Sequence, residues 1–176
     1  YSRSYIQIQF GTIVLDNLNI TTNTNVEARR DQDYDIFIAK MDNNGTWLWA
    51  KSVGNIGVVY SSSISTFNDG ASIITGYFEC NSLTFGATTL HNFKINNNIK
   101  LKSDIFVAKI DNNGTWLWAK SVGGNNNDRG YSISTLSDDS SILTGYYKST
   151  DITFGNLPSI KTIKSKEWGN SDMFIA

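Results

Sequence analysis

Few side chains here offer chemistry, and two tryptophan pairs, Trp47/Trp49 and Trp116/Trp118, stand out because each lies in the same local sequence. Exposed indoles stack on sugar rings or anchor protein partners, whereas buried ones fill a core. The only histidine, His91, and the only cysteine, Cys80, have no second imidazole or thiol beside them. Neither a nucleophile with its base nor a multi-cysteine metal site is therefore offered by neighbouring residues. His91 reads as a loop residue and Cys80 as a small buried side chain. Paired carboxylates hydrolyse glycosides, but Glu27, Glu79 and Glu167 are scattered, and Lys148 stands where a repeat of Glu79 would fall. The aspartates favour turns and strand starts, where a carboxylate bonds local backbone N–H groups. Asp42-Asn-Asn-Gly45 and Asp111-Asn-Asn-Gly114 lack the alternating oxygen ligands and distal glutamate of a calcium loop, and the acidic run Asp31-Gln-Asp-Tyr-Asp35 does not recur. The expectation is a chain with no catalytic residues, metal or cofactor, whose tryptophans are the candidate ligand contacts.

A repeat positions those tryptophans. The run Asp42-Asn-Asn-Gly-Thr-Trp-Leu-Trp-Ala-Lys-Ser-Val-Gly54 returns letter for letter as Asp111 to Gly123, 69 positions later. Asp35, Asp104 and Asp172 open three versions of Asp-Ile-Phe-Ile-Ala, and the pairs Gly76/Gly145 and Phe85/Phe154 keep the same step. Phe10-Gly11 matches Phe85-Gly86 as a still earlier copy. Repeats of this size build stacked or radial architectures. With 40% hydrophobic and 12% aromatic residues the chain has material for a core, and its single proline and short β-branched and aromatic runs point to an all-β fold. The net charge of −1 and pI near 5.8 provide no electrostatic footprint for nucleic acid. No apolar run approaches the roughly 20 residues needed to span a bilayer.

Each unit predicts four strands. Tyr131 to Leu136 comes first, its small residues suited to an inner strand crowded by its neighbours. Ser141 to Tyr147 is second, with Gly145 inside it marking a bulge or a close backbone approach. A long polar connection, Leu83 to Ser103 in one unit and Ile152 to Ser171 in the next, reads as an extra hairpin or a projecting loop. Asp104 to Ile110 is third and apolar on both faces, so it should be covered on both. Asn113-Gly114 predicts a type I′ hairpin turn with positive φ at both positions. Thr115 to Ser121 is fourth, with Trp116 and Trp118 expected on one face and Leu117 and Ala119 on the other. Antiparallel meanders repeated in tandem describe β-propeller blades. The expectation is a propeller segment of two to three blades of a larger ring, cut from a longer polypeptide. Residues 1–57 end one blade with its third and fourth strands, 58–127 form the second, and 128–176 form an incomplete third.

The run from Ser103 to Gly124, followed by Asp128-Arg-Gly-Tyr-Ser-Ile and Thr144-Gly-Tyr-Tyr, resembles the SBBP-type bacterial β-propeller repeats over nearly the whole unit. It departs from them in its long Asn-rich connections at 91–103 and 156–171. Asp42 to Trp47 and its copy are also similar to the Asp-box of sialidase-type propellers, which lies in the turn between a blade's third and fourth strands; here the spacing differs by one position and the leading serine is absent. The resemblance implies a propeller in a large secreted or surface protein, and a fold does not fix an activity. The function expected is a non-catalytic binding or structural scaffold at a cell or virion surface, with protein, glycan or other copies as partners at a rim of loops. One alternative is a lectin-like propeller. Another is part of a propeller glycosidase whose acids lie outside this segment. Asn19, Asn44 and Asn113 each match the N-glycosylation acceptor pattern.

Overall fold

The computed structural model describes residues 7–16, 34–55, 57–93, 102–154, 161–165 and 171–176. Every regular element among them is a β-strand. In chain order these are β1 (Gln7–Phe10), β2 (Ile13–Asp16), β3 (Ile36–Met41), β4 (Trp47–Val53), β5 (Val59–Thr66), β6 (Ser72–Phe78), β7 (Ser82–Phe85), β8 (Thr88–His91), β9 (Asp104–Ile110), β10 (Trp116–Val122), β11 (Asp128–Thr135), β12 (Ser141–Tyr147), β13 (Asp151–Phe154), β14 (Lys161–Lys164) and β15 (Asp172–Ile175). All pairs within the sheets are antiparallel.

The fullest sheet has the order β10-β9-β6-β5, a meander in which the chain leaves once, between β6 and β9, to form the β7–β8 hairpin. The described start of the long polar connection is thus a hairpin, one of the two forms anticipated from the sequence, while 94–101 lie outside the described residues. The same plan recurs on either side: β11-β12-β15 with the β13–β14 hairpin inserted, and β3–β4 preceded by the β1–β2 hairpin. Gly76 and Gly145 serve both purposes that an in-strand glycine suggests. A Cβ on Gly76 would collide with the Tyr60 carbonyl, and one on Gly145 with that of Arg129. Opposite each glycine the partner strand bulges, at Ser61/Ser63 and at Gly130/Ser132.

The turn between third and fourth strands differs from the predicted type I′ form. Gly45 and Gly114 have φ near +82° and +83°, but neither Asn44 nor Asn113 is in the positive-φ region. Asp111 O accepts from Gly114 N at 3.2 Å, and Asp111 N donates to Thr115 O at 2.8 Å. This is a type I turn closed by a left-handed glycine. The aspartate selects it, because Asp111 Oδ1 also accepts from Asn113 N (2.9 Å) and Thr115 N (2.7 Å), and Asp42 does the same in the first copy. Those N–H bonds hold the Asp111 carboxyl below the usual carboxylate range, that from Thr115 foremost.

Both faces of β9 are covered, as its sequence requires. Phe106, Ala108 and Ile110 join Ile36, Ile38, Val53, Ile74, Phe78, Leu83 and Phe85 in one core, between this sheet, the β3–β4 pair and the β7–β8 hairpin. Ile105 and Val107 face a second core with Ile133, Leu143, Tyr147, Ile152 and Phe174. Between neighbouring sheets β5 and β11 are joined by hydroxyls and not by a backbone ladder. Ser65 Oγ accepts from Thr135 N (3.1 Å) and lies 3.0 Å from Thr135 Oγ1, which in turn donates to Thr66 O at 3.1 Å. The small residues of the predicted first strand permit this approach.

Candidate functional site

The four tryptophans do not form one platform. The register of β10 on β9 shifts between Trp116 and Trp118, so Trp116 lies opposite Ile110 while Trp118 lies opposite Lys109. Successive residues of β9 point to opposite faces and directly paired residues share one. The predicted common face is therefore corrected: the bulge at Leu117 sends the two indoles to opposite sides, and the matching shift in β3–β4 separates Trp47 from Trp49. Trp116 meets Phe85 edge-on with ring centroids 4.9 Å apart, and Trp47 meets Phe10 in the same geometry at 4.9 Å. The inserted hairpin of each unit thus covers the first tryptophan. Trp49 reaches the next unit, donating from Nε1 to Asn112 O at 3.0 Å. Trp118, its counterpart, is 36% exposed.

The other sequence candidates fall as their chemistry dictates. Cys80 is buried, its Sγ donates to Ser82 O at 3.1 Å, and burial pushes its thiol up to about 12. His91, read from the sequence as a loop residue, is instead the exposed last residue of β8, paired with Ser82. Asn44 and Asn113 are exposed at hairpin tips, and Asn19 lies outside the described residues. So do Glu27, Glu167 and the run 31–33. Among the described residues two aspartates are fully buried: Asp104 Oδ2 accepts from Phe93 N at 2.6 Å, and Asp128 accepts from Lys148 N, Ser149 N and Ser149 Oγ (3.0, 3.1 and 2.6 Å). Burial raises both, Asp104 to about 7 with the nearby Asp128 charge adding to it. Sealed from solvent and bonded to backbone N–H groups, they fix strand ends and cannot meet a substrate. Among the described residues no group of three His, Cys, Asp or Glu side chains is placed to hold a metal ion, and no helix is long and apolar enough to cross a membrane.

Sequence reasoning missed a strip of stacked rings. Tyr34 and Tyr60 lie 5.3 Å apart, Tyr60 and Tyr77 5.0 Å apart, and the Arg129 guanidinium sits 4.2 Å above the Tyr77 ring. Arg129 also pairs with Glu79 at 3.4 Å, and its Nε is buried with no hydrogen-bond partner among the described residues. Tyr131 and Tyr146 continue beside it, 5.4 Å apart. Partial burial raises the Tyr77 and Tyr146 hydroxyls, opposed by the Arg129 charge. The strip joins the start of β5 and β11 to the end of β6 and β12, with Tyr34, Tyr60 and Tyr131 exposed. Such a row of rings around a cation can take a sugar face, an aromatic side chain or an anionic group.

No protein-family model matches the chain, and no curated protein matches it. The likeness to SBBP-type repeats rests on the residues quoted above.

Proposed function

We propose that the chain is a segment of a β-propeller, two to three four-stranded blades of a larger ring, serving as a non-catalytic scaffold in a secreted or surface protein. The observation that supports this best is the use made of the repeated aromatics. Trp47 and Trp116 sit beneath the inserted hairpins, and Trp49 leans on the following unit. Residues repeated for packing between units belong to a frame. The side-by-side approach of β5 and β11 through hydroxyls suits first strands gathered around a shared axis. A surface location also suits the acceptor patterns at the exposed tips Asn44 and Asn113.

Trp116→Ala tests the scaffold reading. A frame residue loses stability on truncation, whereas a sugar platform would lose glycan binding with its folding intact. The lectin-like reading is favoured by a different feature, the tyrosine and arginine strip. On a glycan array, binding abolished by Tyr60→Ala in a folded chain would support it, and a blank array would remove it. Hydrolysis of chromogenic glycosides by a protein containing this segment would favour the glycosidase alternative.

A further inference from the structure

The tyrosine strip brings phenols of two units side by side. Tyr34 precedes β3 of the first unit and Tyr60 stands in β5 of the second, with ring centroids 5.3 Å apart and planes 34° from each other. The backbone fixes the pair. Tyr34 N donates to Gly57 O at 3.2 Å, and Val59 N donates to Tyr34 O at 3.0 Å, so the chain just before Tyr60 is tied to Tyr34 through both of its backbone groups. Two phenols held in this way meet at an effective concentration far above that of phenols on separate chains.

Two other phenol pairs among the described residues are as close, and a cation stands over one ring of each. Tyr60 and Tyr77 lie 5.0 Å apart, but the Arg129 guanidinium sits 4.2 Å above the Tyr77 ring. Tyr131 and Tyr146 lie 5.4 Å apart with planes 55° from each other, and Lys148 Nζ is 6.0 Å from the Tyr146 ring. A positive charge over a ring opposes the loss of an electron from it. Tyr77 and Tyr146 are also half-buried, and burial raises both hydroxyls against the Arg129 charge, so their protons leave less readily. Tyr34 and Tyr60 are exposed, and among the described residues no cation lies over either ring.

We propose that Tyr34 and Tyr60 form an oxidative cross-linking site, joined by a carbon–carbon bond between their rings when a peroxidase delivers the oxidising power of hydrogen peroxide. Each phenol gives up one electron and its hydroxyl proton. The two phenoxyl radicals couple at ring carbons ortho to oxygen, one Cε of each residue, and the hydrogens on those carbons shift to the oxygens and restore both phenols. Two hydrogens leave in all, and one hydrogen peroxide takes them up to give two waters. The bond closes a loop from 34 to 60 that contains β3 and β4, and so ties the first unit covalently to the second. The coupling needs neighbouring rings and not an open face, since an electron leaves a ring without contact with the oxidant. It goes beyond the scaffold reading and borrows from it only a surface location where peroxide is met.

Treating a dilute solution of residues 1–176 with hydrogen peroxide and a haem peroxidase tests it. Trypsin leaves Tyr34 in the peptide 31–40 and Tyr60 in 52–94, so mass spectra should show these two joined and lighter by two hydrogens, with the blue fluorescence of a biphenol. Tyr34→Phe and Tyr60→Phe keep the rings and their packing, and each should lower that fluorescence in the monomer at least about fivefold. Tyr77→Phe, which changes the other tyrosine of 52–94, and Tyr131→Phe should leave it. Oxidation in urea should not join the peptides, and the chain cross-linked in its folded state should unfold at a higher urea midpoint than the untreated one. Joined peptides that survive Tyr60→Phe, coupling chiefly between chains, or no biphenol under conditions that couple free tyrosine would overturn the proposal. Those outcomes would leave the scaffold reading standing, because it rests on the tryptophan contacts.

Discussion

Trp116 and Trp118 are two residues apart in a strand, yet one lies beneath its own hairpin and the other opens toward solvent. The bulge at Leu117 decides this, and so decides what each mutation costs. Trp116→Ala removes an edge-on contact with Phe85 and part of a shared core. Urea unfolding should show a loss of about 3 kcal/mol; Trp118→Ala should cost under about 1 kcal/mol. Asp104 makes a different prediction. Its folded-state carboxyl titrates near 7 because burial disfavours the charge, whereas an unfolded chain holds it near the ordinary 3.8. Between those values the folded state binds more protons, so this group makes stability rise as pH falls from about 7 toward 4. Denaturation midpoints across that range should show the slope, and Asp104→Asn should flatten it.

Strands and hairpins carry most of what the sequence made legible. The bounds of β6, β9 and β12 are those expected, since apolar runs bounded by turn residues, and in β6 and β12 marked by an internal glycine, leave little freedom of assignment. The bulges beside the tryptophans in β4 and β10 were not legible, because register is a property of two strands and the repeat copies it without announcing it. The turn type was missed for a related reason: Asn-Gly alone favours I′, but the preceding aspartate bonds two N–H groups across the tip and holds a type I turn. Asp111→Ala should therefore lower the urea unfolding midpoint. The tyrosine strip was hidden because only Tyr77 and Tyr146 keep the repeat: Arg129 stands 69 positions after Tyr60, and Ser62 stands 69 before Tyr131. Contacts between sheets are also testable at this scale. Ser65→Ala removes the hydroxyl that links β5 to β11 and should cost about 1 kcal/mol by the same measurement, without changing the fold.

Across the whole molecule, one idea links the packing and the proposed scaffold: the first unit leans on the second through an indole laid on a hairpin tip. The two tips have the same sequence and turn geometry, but among the described residues only the second has a tryptophan against it. They are thus an internal control within one chain. An aromatic ring displaces the proton resonances of groups lying on its face, so the NMR shifts of the two glycines should differ. The Gly114 α-protons should lie upfield of those of Gly45 and move back toward them on Trp49→Leu. Equal shifts in the two turns, with no response to that substitution, would contradict the account.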